Sequence, residues 1–428
     1  MNVARRQAVT LALARPPRPA GPDWWQALQE RAWNRYQAVG LPGPRLDDWK
    51  YADTHPLTQV DLRLPSGDVA PMDAAQVAME GVEGPLVVLV DGVFHPGLSR
   101  LDELPDGMTV SPLETALGSG GGGVERVGAL AELDRDDAGL RALNLALAST
   151  GVVVELAPDC RPSAPLSLVH LVTEAGLAPQ WRHVLRLGEG AVLTLLERYQ
   201  GLGTHWHNTV VEAEVEAGAE LNHIRLAEGD ESAFLTHESW VTVAAGGRYL
   251  GAGAAHGHRL ARLFGSVSLD APEARAAWYG VYGGTGRHQA DHTTHTHHRA
   301  PRTESVQLFK GVLGEGARGA YTGRVVVHTG AQKIRAEQKN ANLLLSRNAE
   351  ADARPQLEIY ADDVQCAHGA TVGELDADAL FYLRARGIAE ADARALLTRA
   401  FIEDVLVAFP LEAAARWVRE RLGQGGGT

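Results

Sequence analysis

The sequence predicts a mainly β fold, its strands either stacked as a solenoid or packed as a sandwich, with helical regions at both ends. Three observations predict this. Beyond about residue 150 the chain breaks into short β-rich pieces punctuated by glycine. Within that stretch Leu187-x-x-Gly190-Ala-x-Leu193 recurs as Val215-x-x-Gly218-Ala-x-Leu221 and as Val243-x-x-Gly246-Gly-x-Tyr249, a spacing of 28 residues twice, with a looser copy at Leu269 to Pro272 after 26 more. A fixed period in this range suits coils that each bury a neighbour's apolar edge; among 47 glycines, chance recurrence in a sandwich is the alternative. Helical periodicity, finally, is confined to the two ends.

Taken in order, the N-terminal stretch Met1 to Arg15 has a basic start, but its short apolar run is broken by Arg15 and Pro16-Pro17, so it does not read as a signal peptide. Asp23 to Val39 reads as a helix with a cap-competent aspartate, apolar positions at Trp25, Leu28, Ala32 and Tyr36, and a stop at Gly40 and Pro42. Leu86 to Val90 followed by Asp91-Gly92 reads as a strand and tight turn, and Gly118 to Gly123 as a flexible loop. After the glycine-punctuated strands, Asp376 and Asp378 offer N-caps to a helix carrying Leu380-Phe-Tyr-Leu383, with Gly387 as its stop. A second helix over about Ala389 to Ala408 places Leu397, Phe401 and Val405 at steps of four, widened by Ile402, Leu406 and Phe409. A stripe that wide implies burial on two sides.

Composition narrows the function. The net charge of −13 argues against a nucleic-acid or anionic-membrane surface and suits protein partners. The apolar run Leu86 to Val90 is far shorter than the roughly 20 residues a membrane helix needs. Two cysteines, Cys160 and Cys366, more than 200 positions apart, make neither a disulfide framework nor a CxxC site, so a reducing, cytoplasmic location is expected. No phosphate loop of the GxxxxGK[ST] type and no nucleophile elbow occurs, so the chain is not expected to hydrolyse ATP itself.

Two histidine groups bear on metal chemistry. Five histidines fall in His288-Gln-Ala-Asp-His-Thr-Thr-His-Thr-His-His298. On one strand Asp291, His295 and His297 share a face, and His288, His292 and His298 the other. His292, His295 and His297 are candidate metal ligands, set against the alternative of a hydrated polar ladder on a solenoid face. His205-Trp-His207, with Glu212 five residues on, has the look of the HxH-x4-E motif of cupin barrels, without the preceding glycine and without a clear second motif. A stand-alone, metal-dependent cupin-like enzyme is therefore the alternative function.

The densest chemistry lies in Pro355-Gln-Leu-Glu-Ile-Tyr-Ala-Asp-Asp-Val-Gln-Cys-Ala-His-Gly-Ala-Thr371, where Cys366 and His368 at i and i+2 face the same side of an extended strand and can reach one soft or borderline metal ion. An inert thiol beside a core histidine is the plainer reading. Glu358 to Thr371, Ala379 to Ile388, Leu308-Phe-Lys-Gly-Val312, Gly323 to Lys333 and Asn340-Ala-Asn-Leu-Leu-Leu-Ser346, with a weaker echo at Asp48-Trp-Lys-Tyr51, together resemble the SufB/SufD family of iron-sulfur cluster assembly scaffold proteins. Ala349 and Gly369 stand where the SufB pattern has a cysteine and a glutamate, so the likeness is to the SufD branch, without the thiol on which SufB is thought to build the cluster.

This resemblance implies a right-handed parallel β-helix core, dividing the chain into an N-terminal mainly helical region with a few strands (1–135), the β-helix (136–373) and a C-terminal helical region (374–428). It implies a non-catalytic scaffold that pairs with a SufB-like chain, or with itself when isolated, and docks a SufC-like ABC-type ATPase. Leu380, Phe381, Leu397, Phe401, Ile402 and Val405 are the expected docking residues. His368, and with it Cys366, is expected at the interface with SufB, where an iron-sulfur cluster or iron is held transiently; none is expected to be bound tightly by this chain alone.

Overall fold

A computed structural model describes Leu13 and residues 21–67, 77–119 and 132–423. Its centre is a parallel solenoid in which successive strands go to alternate sheets. One sheet stacks β1 (Leu86–Val90), β5 (Leu166–Val172), β7 (Val192–Gly201), β9 (Glu220–Glu228), β11 (Arg248–His256), β13 (Arg275–Gly284), β15 (Glu304–Leu313), β17 (Ile334–Leu344) and β19 (Val364–Gly373). The other stacks β4 (Val152–Leu156), β6 (Gln180–Leu187), β8 (Trp206–Val215), β10 (Phe234–Val243), β12 (Leu260–Leu269), β14 (Gln289–His298), β16 (Arg318–Val327) and β18 (Glu350–Ile359). At the first coil β2 (Val93–Phe94) and β3 (Met108–Pro112) add antiparallel edges. From β4 onward a strand pairs in parallel with the next but one, as Phe234 with Leu260 (260 − 234 = 26) and Arg318 with Glu350 (350 − 318 = 32). Sandwiches are built from antiparallel sheets, so this register decides for the solenoid.

The recurring sequence motif is the corner between the sheets. Leu187, Val215 and Val243 end strands of one sheet, while Leu193, Leu221 and Tyr249 point inward from the other. Between them Gly190, Gly218 and Gly246 adopt left-handed φ of 68°, 64° and 64°, a conformation glycine adopts without a Cβ penalty. Each corner N–H bonds to the next coil, Gly190 to the carbonyl of Ala217 at 2.9 Å and Gly218 to that of Ala245 at 2.9 Å. The stack continues where the motif loosens: Glu273, Arg302 and Lys333 hold φ of 67°, 60° and 61° in the following corners, the last of which also keeps a left-handed glycine, Gly330, at 86°.

Helices cover the two outer faces. α1 (Asp23–Val39) begins after Pro22 with no side-chain cap, so Asp23 sits in the first turn, where its charge favours the helix dipole, instead of capping it. It buries Trp25, Gln29, Ala32 and Tyr36 and ends at Gly40 as expected. With α2 (Leu113–Ser119) and α3 (Gly139–Leu147) it packs on Val153, Val184, Trp206, Phe234 and Leu260 of the β4-to-β18 sheet. Gly118 and Ser119 close α2, while the glycines at 120–123 lie outside the described residues, as does most of the Met1 to Arg15 stretch. Asp91 (φ 45°) and Gly92 (φ 78°) form the tight turn between β1 and β2. On the opposite face α5 (Glu390–Leu406) and α6 (Glu412–Leu422) lie over Ile224, Leu226, Ala252, Ala254, Val281 and Val312, with α4 (Ala377–Ala385) packed beside α5. Asp376 caps α4, accepting from the N–H groups of Asp378 (2.8 Å) and Ala379 (2.9 Å). Among the described residues no helix is long and apolar enough to cross a membrane.

Candidate functional site

The last coil is built differently from the rest. Among the described residues β18 pairs only with β16 and β19 only with β17, so each has one free edge. On β19 Cys366 lies opposite Ala336 and His368 opposite Gln338. Ala336 and Gln338 are buried on the lumen side, which places Cys366 and His368 together on the lumen-facing side of the terminal strand. Cys366 is half-buried, packed near Val325, Ile334 and Leu357, and burial pushes its thiol pKa up. His368 is exposed. Beneath it the Gln338 amide is fully buried and makes no hydrogen bond through either atom, a neighbour no sequence motif marks. The pair thus offers a protonated thiol and an accessible imidazole at the open mouth of the lumen, a set able to take a borderline metal.

The histidine-rich strand serves elsewhere. β14 separates the candidates: His292 points into the lumen against Phe309 and Tyr282, whereas His295 and His297 face outward, so the three do not converge on one ion. Burial lowers the pKa of both His292 and His297 to about 3. His295 Nε2 meets Asp48 Oδ1 at 3.2 Å, and Asp291 pairs with Arg262. Arg262 also donates to the Asp48 carbonyl at 2.7 Å and lies 4.0 Å from the Trp49 ring centre. Asp48 further bonds Arg135 at 3.0 Å and Arg324 at 3.3 Å. Burial opposes its charge, but His295, Arg324 and Arg262 outweigh this and hold the carboxyl well below the usual range. The Asp48-Trp-Lys-Tyr51 stretch is thus a clamp that locks the N-terminal region onto the solenoid.

The cupin-like set fails on parity. His205 and His207 face the lumen, with Gln200 O 3.2 Å from His207 Nε2, whereas Glu212 faces out and bonds Arg182 at 2.9 Å. A solenoid strand cannot turn all three toward one ion.

Of the expected docking residues, Ile402 and Val405 are fully buried against the solenoid and are unavailable to a partner. The stripe reads as expected, but sequence alone does not say which half meets the chain's own core. Leu380 and Leu397 are half-buried, and Phe401 lies under Lys310, whose Nζ is 4.5 Å from the ring centre. On the C-terminal helices the exposed large apolar side chains are Phe381, at 72% exposure, with Tyr382 and Leu396, and Val407 at the end of α5.

The family described as "SUF system FeS cluster assembly, SufBD core domain" matches residues 170–401, and "SufBD protein N-terminal region" matches residues 21–167. The chain is 30% identical to the iron-sulfur cluster assembly protein SufD of Escherichia coli over 90% of this chain and 89% of that protein. It is 27% identical to an iron-sulfur cluster assembly SufBD family protein of Synechocystis over 90% and 87%, and 25% identical to SufD of Bacillus subtilis over 92% of each. Two adjoining family matches that run from the first helix into α5, and a SufD relative sharing nearly the full length, make this chain a SufD-like member of the SufBD family of iron-sulfur cluster assembly proteins.

Proposed function

We propose that this chain is a non-catalytic scaffold subunit of the Suf machinery, which pairs through its open solenoid end with a SufB-like chain and carries a SufC-like ATPase on its C-terminal helices. The observation that carries the reading is the terminal coil: two strands with free edges, and beside them Cys366 and His368. Unpaired strand edges are templates for another chain. Iron and sulfur are cargo in this scheme, received at the seam, where the His368 imidazole is the accessible donor and the SufB-like partner supplies thiolates. ATP-driven closure of the ATPase would reach the seam through α4 and α5, which requires the seam to have two arrangements.

Anaerobic co-purification of the tagged chain from its host, with partners and stoichiometry read by mass spectrometry, tests the assignment. Recovery of a SufB-like chain and a SufC-like ATPase in fixed ratio is expected. Recovery of the chain free of both, under conditions that preserve such complexes, would overturn it.

A further inference from the structure

Most of the lumen near β5 to β10 is filled by stacked Leu, Val and Trp, but one zone is polar and completely sealed. His170 (β5), His183 (β6), Glu197 (β7), His223 (β9) and His237 (β10) are each 0% exposed. Their potential ligand atoms fall into two groups lying within 4.8 Å: His170, His183 and Glu197, and Glu197, His223 and His237.

Hydrogen bonding separates the two groups. In the first, the Val152 N–H donates to His183 Nδ1 at 3.1 Å, so the His183 proton sits on Nε2 and is directed at His170 Nε2, 2.9 Å away. His170 Nδ1 in turn lies 3.3 Å from the Arg198 carbonyl, its natural acceptor. That pair is internally satisfied, with no nitrogen lone pair to spare. The second group is not. Glu197 Oε2 takes His237 Nε2 at 2.8 Å, His223 Nε2 at 3.1 Å and the Tyr199 hydroxyl at 3.0 Å, while Glu197 Oε1 and His237 Nδ1, both buried, have no partner. Among the described residues, the ion-pair partners of Glu197 are these two imidazoles alone. A carboxylate in a dry interior without a full cation beside it is costly.

We propose that Glu197, His223 and His237 bind one divalent transition-metal ion of the iron(II) or zinc(II) class inside the solenoid. Two imidazoles and one carboxylate on one side of an ion are a donor set for those metals, not for magnesium or calcium. The present nitrogen-to-oxygen separations of 2.8 and 3.1 Å need to open only to about 3.4 Å for ligands about 2.1 Å from a tetrahedral ion. Binding moves each imidazole proton from Nε2 to Nδ1, and for His223 the Tyr249 hydroxyl, 3.4 Å from Nδ1, stands ready to accept it. This site lies away from Cys366 and His368 and does not depend on the assembly role. Because it is sealed, the ion enters during folding or through opening of a coil.

The full chain should be produced with iron or zinc supplied during expression, passed through a chelating column, and examined by elemental analysis and by anomalous diffraction at each metal's absorption edge. One equivalent per chain surviving the chelator is expected, with its anomalous peak among Glu197, His223 and His237. Glu197→Gln and His237→Gln should each lower retained metal at least tenfold, whereas His368→Ala should leave it unchanged. No retained metal after refolding in excess ion, or a peak only at His297 and His328, whose ring nitrogens lie 3.2 Å apart, would overturn the proposal. Should the glutamine variants fail to fold, the wild-type anomalous map decides alone.

Discussion

His368 and His292 show how position sets what an imidazole can do. His368 is exposed on the terminal strand. His368→Ala is therefore expected to leave complex assembly and thermal stability within about 0.5 kcal/mol of wild type while lowering cluster yield, read as iron and acid-labile sulfide in the co-purified complex; undiminished yield would remove His368 from cargo handling. His292 is the opposite case, neutral in the lumen with a pKa lowered to about 3 by burial, as His298 is to about 4. Both titrate near 6.5 when unfolded, so between that value and the folded pKa the unfolded state binds more protons. Stability is then full above about pH 6.5 and falls on acidification, by up to about 1.4 kcal/mol per pH unit for each such histidine. Urea midpoints between pH 7.5 and 5 should show this, and His292→Leu should flatten the slope by about one proton; an unchanged slope would mean that His292 is not held neutral. At this scale the Cys366 and His368 pair was legible because both lie on one strand. Glu197, His223 and His237 were not, since stacking of separate coils brings them together and no local spacing records it.

Among the elements, the corner stack was readable only where glycine marks it. After Leu269 the corner loop gains a residue and the left-handed position passes to Glu273, then Arg302 and Lys333. At Glu273 and Arg302 the geometry persists without glycine, because hydrogen bonds to neighbouring coils, such as Arg302 N–H to the Gln332 carbonyl at 2.9 Å, hold the backbone there. The C-terminal helices show the converse limit. Periodicity located the apolar stripe of α5, yet Ile402 and Phe401 differ in fate because the inner half is taken by the solenoid. The two faces should separate experimentally. Phe381→Asp, at 72% exposure, should keep the wild-type melting temperature and lose the ATPase from the co-purified complex. Ile402→Asp should cost several kcal/mol by burying a charge and lower the melting temperature of the isolated chain. Retention of the ATPase by Phe381→Asp would move its dock away from α4.

Across the whole molecule the two ends of the solenoid are unequal. The first coil is finished: every residue of β1 is buried, and β2 and β3 close it with antiparallel turns. The last coil is not, for β18 has no fully buried residue and β19 is largely exposed, with Val372 at 52% on the lumen-facing side. Solenoids that remain single chains cap their terminal repeats with a polar outer layer, and the end left open here with Ile359, Tyr360 and Val372 exposed is where the proposed scaffold role puts a partner chain. Pro355 in β18 limits what that chain can pair with, since proline offers no N–H to a ladder. Val372→Lys should then leave the isolated chain's melting temperature unchanged, because that side chain is about half exposed and the longer lysine can reach water. It should also weaken pairing at least tenfold, a penalty of about 1.4 kcal/mol or more, read as loss of the SufB-like partner on co-purification, or as conversion of a dimer to monomer by sedimentation if the isolated chain self-associates. Full partner recovery with the lysine in place would mean that the open coil is not the seam, and the exposure of its lumen-facing residues would then need a different occupant.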